Sequence, residues 1–215
     1  MAELEDAVPK DLFISRFKTV KEKVLATHWK GFQRARAKDV PSVCMFIWDE
    51  MVHRGKVTEP FSIAPIINNG YKGIANFVEK KLQAVPVSEA YAVSYYNEID
   101  PENSFVDVSL VRCFPNDIHI ADVEFSDNQK PAHAGEIVKN AAERNYHGLH
   151  VFGDFIDRLN VVARAKGVSR LSLMVAHPDL YPVFSRHGFQ VNDTHMARMA
   201  FERAGMGFSM TRMVV

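Results

Sequence analysis

Only two cysteines occur in the 215 residues of this chain, so no disulfide framework can hold it together. Glycine and proline number 11 and 10, which excludes collagen-like and low-complexity architectures. There is no excess of either charge: 26 basic and 26 acidic side chains leave a formal net charge of zero. That removes the global positive field of a bulk nucleic-acid binder. With 47% hydrophobic residues, it also excludes the composition of a disordered chain. The most apolar stretches, Val40–Met51 and Leu171–Ala176, fall short of the roughly 20 residues that span a bilayer. The opening MAELEDAVPKDLF carries acids where a secretory or transit signal needs bases. The expectation is a cytoplasmic protein without membrane contact, with Cys44 and Cys113 as buried free thiols.

The length is enough for a core that needs no staple. Over residues 1–30, Leu12, Phe13, Phe17, Val20, Val24 and Leu25 fall at helical spacing and predict an amphipathic helix. Residues 31–37 read as a short strand. Asp39 and Pro41 mark the start of a helix over Ser42–His53. A second helical region covers Ile63–Leu82. From Ala90 the period falls to two, which predicts strands at Ala90–Asn97, Ser104–Cys113 and Ile118–Phe125. Gly135–Ala142 is a further strand candidate. Gly153–Ala165 is a helix stopped by Lys166 and Gly167. A strand at Ser169–Val175, a helix at Asp179–His187 and two closing strands near Thr194–Phe201 and Gly207–Val214 complete a mixed α/β order.

The run Tyr146-His147-Gly148-Leu149-His150-Val151-Phe152-Gly153-Asp154-Phe155-Ile156, with Gly167 closing the helix, resembles the central segment of the GCN-related N-acetyltransferase (GNAT) superfamily. Val183-Phe184-Ser185-Arg186-His187-Gly188-Phe189 is similar to the family's Leu-Tyr-x-x-x-Gly-Phe, and Gly135-Glu136-Ile137 to its Ala-Glu-Ile. The resemblance covers about residues 32–215 and leaves 1–31 as an N-terminal helical extension. It implies an α/β fold of the α+β kind: a mostly antiparallel central sheet flanked by helices, splayed near 139–146 and 171–177. It also implies acetyl-CoA or another acyl-CoA as co-substrate. A strand would run into a turn and then a helix whose first N–H groups meet the pyrophosphate. The residues that match this cradle are Ala141, Ala142, His147, Gly148, Leu149, His150, Val151, Phe152 and Gly153, with His177 and Phe184 beside the pantetheine arm. His150 and Phe152 stand where the family has glycines, and a Phe at 152 would crowd a phosphate.

Glu136 falls at the position of the family's general base. Phe184 replaces the Tyr that protonates the leaving thiolate, and Tyr181, one helical turn earlier, is the candidate substitute. Asp122 or Glu124 is a candidate second carboxylate near the acceptor site, but a solvated strand face is the better reading of both. The implied reaction is direct acyl transfer to an amine, on a small molecule or a protein. The alternatives are a GNAT-fold enzyme with another donor or a nucleic-acid acceptor, and a non-catalytic GNAT-fold binding protein. The basic run Lys18, Lys21, Lys23, Lys30, Arg34, Arg36 and Lys38 suits the nucleic-acid alternative, but a solvated helix face is the better reading. Nine histidines bring no metal motif, and no metal site is expected. Methionines gathered in the C-terminal strands suggest a homodimer contact.

Overall fold

The computed structural model describes residues 2–14, 21–27, 39–58, 76–83, 85–97, 100–125 and 151–215. These build a seven-stranded sheet with the order β1-β2-β3-β4-β5-β7-β6. β1 (Lys21–Thr27), β2 (Val87–Asn97), β3 (Asp100–Cys113) and β4 (Asp117–Phe125) form an antiparallel meander. β5 (Arg170–Val175) is parallel to β4, while β6 (Gln190–Val191) and β7 (Phe208–Met213) return antiparallel on the far side. A mixed, mostly antiparallel sheet flanked by helices is the fold class that the family resemblance implied.

The β2–β4 meander follows from its residues. Alternating apolar and polar positions suit a sheet covered differently on its two faces. Ile118 and Ile120 of β4, with Leu171, Leu173 and Val175 of β5, join one core with α4 (Val151–Ala165). The intervening residues face α2 (Val40–His53), whose Phe46, Ile47, Trp48 and Met51 fill a second core. The helix at 76–82, α3, lies against α2, with Phe77 stacked on Trp48 at 5.1 Å. α4 ends as its sequence predicts: Gly167 adopts φ 65°, and Val168 N–H reaches back to the Ala163 carbonyl at 2.8 Å.

Three segments differ from the sequence expectation. Lys21–Thr27 is a strand on the sheet edge, not part of a helix over residues 1–30. Among the described residues before 32, the helical elements are a 3-10 turn at Leu4–Ala7 and one short helical turn, α1, at Asp11–Ile14. That opening segment is no outlying arm, because Leu4, Ala7 and Val8 are buried in the α4-side core. The Tyr95 hydroxyl donates to the Val8 carbonyl at 2.6 Å. Thr194–Phe201, expected as a strand, lies in helix α6 (His195–Ala204). Thr194 caps it by accepting the Ala197 N–H at 3.1 Å, and the Met, Ala and Arg that follow are good helix formers. The candidate strands at 31–37 and Gly135–Ala142, and 63–75 of the second helical region, lie outside the described residues.

A buried ionic joint holds α2 to the sheet. Arg170 of β5 donates to Glu50 of α2 at 2.6 Å and to Asp117 of β4 at 2.7 Å. Glu50 also accepts from Asn192 at 3.0 Å and from Arg54 at 3.1 Å. Next to it on α2, Asp49 accepts the hydroxyls of Thr194 and Ser209 at 2.6 and 3.4 Å. Burial opposes ionisation of Glu50, but Asn192 and Arg170 more than offset it and hold the carboxyl below its ordinary value. Asp117 has fewer donors, and burial pushes it up to about 6 against the pull of Arg170. Removing the guanidinium takes the cation from buried Asp117 and leaves buried Glu50 with only Arg54 and Asn192. Arg170→Ala is expected to cost about 3–5 kcal/mol of stability, read as a lower urea midpoint. A loss below about 1 kcal/mol would mean that the joint is dispensable.

Candidate active site

The sheet opens at one place. β4 and β5 pair from Asp117↔Arg170 to Ile120↔Leu173 and no further, although β4 runs on to Phe125 and β5 to Val175. Beyond this point β4 follows β3 and β5 follows β7. No described strand fills the gap between them. The cause on the β4 side is a bulge. Leu110 pairs with Ile120 but Ser109 pairs with Asp122, so Ala121 is one residue too many. A bulge bends its strand and increases its twist. It also reverses the alternation: Val123 and Phe125 join the α4-side core, and Asp122 and Glu124 turn to the α2 face. The splay expected at 171–177 is therefore found at the end of β5. The strand opposite it is β4, and the 139–146 partner lies outside the described residues.

On the α2 face, the carboxylate-bearing residues Asp122 and Glu124 stand opposite Ser109 and Asp107 of β3. One step deeper, His119 is completely buried and stacked on Phe46 at 4.8 Å. Its Nε2 lies 2.9 Å from Ser42 Oγ, and its Nδ1 lies 3.0 Å from Ser172 Oγ. Burial drives the imidazole down to about 3, so the ring is neutral throughout the physiological range.

On the α4 face, the first turn of α4 packs inward. Phe152 meets Phe125 at 6.4 Å, Phe155 at 6.0 Å, Phe184 at 5.5 Å and His187 at 5.0 Å between ring centroids. Its ring thus lies among aromatic neighbours, and the loop residues that precede Val151 lie outside the described residues. Gly153 lies under His187, where an added Cβ would come within 3.3 Å of Cε1. Burial lowers the affinity of His187 for a proton, and the nearby positive charges of Arg212 and Arg186 lower it further. Asp157 acts the other way, and Asp154 lies in the first turn of α4, so this end of the helix is bordered by charges of both signs. Phe184, buried on α5 (Leu180–Arg186), packs on Phe152 and on Phe189.

Tyr181 sits on α5 against Phe201 and Phe208, at 5.0 and 6.2 Å, and Phe208 pairs with Val175 at the end of β5. His177, in the loop after β5, is exposed and 3.4 Å from Asp179. Val151 is buried at the start of α4. Phe152, Gly153 and Phe184 therefore come together, and Tyr181 and His177 lie further along the β5–α5 connection. Glu136, Ala141, Ala142, His147, Gly148, Leu149 and His150 lie outside the described residues. Among the described residues, no group of three or more His, Cys, Asp or Glu is placed to hold a metal ion. Nor is any helix among them long and apolar enough to cross a membrane.

The sequence reading passed over Ser42, His119 and Ser172. Their only signal is position: His119 and Ser172 are the polar residues of strands that are otherwise apolar at their centres. They became visible once the parallel register set them side by side.

No protein-family model matches the chain, and no curated protein is similar to it. Solved structures do align. An acetyltransferase of the GNAT family from Staphylococcus aureus Mu50 aligns at 11% identity and TM-score 0.39, over 92% of this chain and 100% of that one. The catalytic domain of the Tetrahymena GCN5 histone acetyltransferase, in complex with coenzyme A, aligns at 8% and 0.37, over 91% and 93%. Nourseothricin acetyltransferase aligns at 14% and 0.38, and there the match spans 59% of this chain and 66% of that protein. The fold class stated above rests on this chain's own strand order and register.

The neutral, buried His119 makes stability depend on pH. Its proton affinity is lowered by folding, so its contribution is complete above the unfolded value near 6.5 and is lost as pH falls toward 3. Comparison with His119→Leu, which cannot titrate, isolates the effect from Asp117, which changes in the opposite sense. The stability difference between wild type and variant is expected to move against the wild type by about 2 kcal/mol between pH 8 and pH 5. Urea denaturation at the two pH values measures it, and a constant difference would contradict a neutral ring.

Proposed function

We propose that the protein transfers an acyl group from acyl-coenzyme A to an amine by direct attack in a ternary complex. The observation that carries this reading is the opening between β4 and β5, with Asp122 and Glu124 on one face and the first turn of α4 on the other. The resemblance of 135–191 to the GNAT superfamily supports the same reading. The pairing of β4 with β5 ends at Ile120↔Leu173, so an extended thioester arm would enter beyond it and stop there. The first N–H groups of α4 have no partner within the helix, and its dipole is positive at that end. With Arg186 and Arg212 near His187, this suits the phosphates of a coenzyme.

An amine acceptor arrives as an ammonium ion. Asp107, Asp122 and Glu124, which the register places on the α2 face, are the proposed neighbours of that cation. Glu136 is the proposed base. It removes a proton from the ammonium, the amine nitrogen attacks the thioester carbonyl, and the C–S bond breaks as the amide forms. Tyr181 is the proposed donor of a proton to the departing thiolate. The exposed Met206 and Met213 keep the C-terminal region as the proposed contact of a homodimer.

Coenzyme binding is tested by thermal unfolding. Acetyl-CoA at 100 times its dissociation constant is expected to stabilise the fold by about 2.7 kcal/mol. An unchanged melting temperature at millimolar acetyl-CoA sinks the reading. With an acceptor amine in hand, Glu136→Gln is expected to bind coenzyme as the wild type does and to turn over about 100-fold more slowly; undiminished turnover would remove Glu136 from the mechanism.

A further inference from the structure

Three residues that this mechanism does not use form a hydrogen-bonded chain at the base of the gap. Ser172 and His119 are wholly buried and face each other across β5 and β4, one rung before the pairing ends. His119 Nδ1 is 3.0 Å from Ser172 Oγ and Nε2 is 2.9 Å from Ser42 Oγ. Ser42 lies in the first turn of α2 and is only half-buried. The chain thus runs from the interior to a residue that is not fully buried.

Both ring nitrogens are met by hydroxyls. A neutral imidazole has one N–H and one lone pair, and two proton arrangements satisfy the chain. In one, Ser42 donates to Nε2. In the other, Ser172 donates to Nδ1, the ring donates from Nε2 to Ser42 Oγ, and the Ser42 O–H turns outward. Changing between them moves no net charge, which suits a ring that burial keeps neutral. Phe46, stacked on the imidazole, fixes its plane.

We propose that Ser42 donates a hydrogen bond to the carbonyl oxygen of the acyl group, and that His119, pinned by Ser172, is the positioning residue that aims it. The proposal rests on the acyl-coenzyme A reading. His119 precedes the bulged Ala121 by two residues, where β4 leaves β5, and Ser42 stands on the α2 side of that point, as do Asp122 and Glu124. As the amine adds and the C–N bond forms, the C=O π pair moves onto oxygen. The Ser42 O–H meets that charge without giving up its proton. When the carbonyl re-forms, the C–S bond breaks and the thiolate leaves.

Titration calorimetry of the full chain with acetyl-CoA and with free coenzyme A tests the assignment. The wild type is expected to bind acetyl-CoA about two- to tenfold more tightly, the span of one net hydrogen bond. Ser42→Ala and His119→Leu should abolish that preference and keep free coenzyme A affinity within about twofold, a control for folding. Ser42→Thr should retain it. A wild-type preference that survives in Ser42→Ala, or none in the wild type, overturns the proposal with coenzyme binding intact. Weaker binding of free coenzyme A in both variants assigns the chain to structure alone and overturns it too. If the wild type binds neither ligand, the acyl-coenzyme A reading fails and takes this one with it.

Discussion

The two-sided anchoring of Arg170 is the constraint on which the rest depends. One guanidinium, carried by the strand beside the gap, binds a helix carboxylate and a carboxylate of the neighbouring strand. Burying three charges is expensive unless each finds partners, and here the geometry supplies them. Glu50 gathers Arg170, Arg54 and Asn192. The same stretch of α2 reaches the cap of α6 through Asp49 and Thr194. Helix α2 is therefore fixed in rotation about its own axis, and Ser42 at its first turn inherits that fixity.

The sheet divides the labour between its faces. The α4 side is closed by an aromatic cluster of Phe125, Phe152, Phe155 and Phe184, which joins the end of β4 to the first turn of α4 and the last turn of α5. The α2 side is polar near the opening: His119, Ser172, Asp122 and Glu124 all lie there. A dry wall opposite a polar one is what a site needs if it is to hold a long, partly apolar substrate and act on it at one end.

Much of the architecture was legible in the residues. The period-two stretches gave the β2–β4 meander, the apolar run Val40–Met51 gave α2, and Gly167 marked the end of α4. Lys21–Thr27 was misread because Val24 and Leu25 fit helical spacing, and only pairing with β2 decides the matter. Met196, Met199 and Ala200 suit either period, and the Thr194 cap tips them to helix. The ionic joint was hidden for a different reason. Asp49 and Glu50 look like flaws in an apolar helix until Arg170, Asn192 and Thr194 arrive from more than a hundred residues away. Ser42, His119 and Ser172 have no motif, since their relation is one of register rather than spacing.

The bulge at Ala121 also sets what kinds of change this strand can absorb. Side chains alternate along a strand, so the register with β3 decides which of them face which layer. Exchanging one side chain there alters a single contact. Deleting Ala121 would leave a regular ladder, with Asp122 still opposite Ser109 and Val123 and Phe125 still in the hydrophobic layer, but it would remove the bend that parts β4 from β5. What the extra residue protects is therefore the opening of the sheet, not the facing of the side chains along its lip.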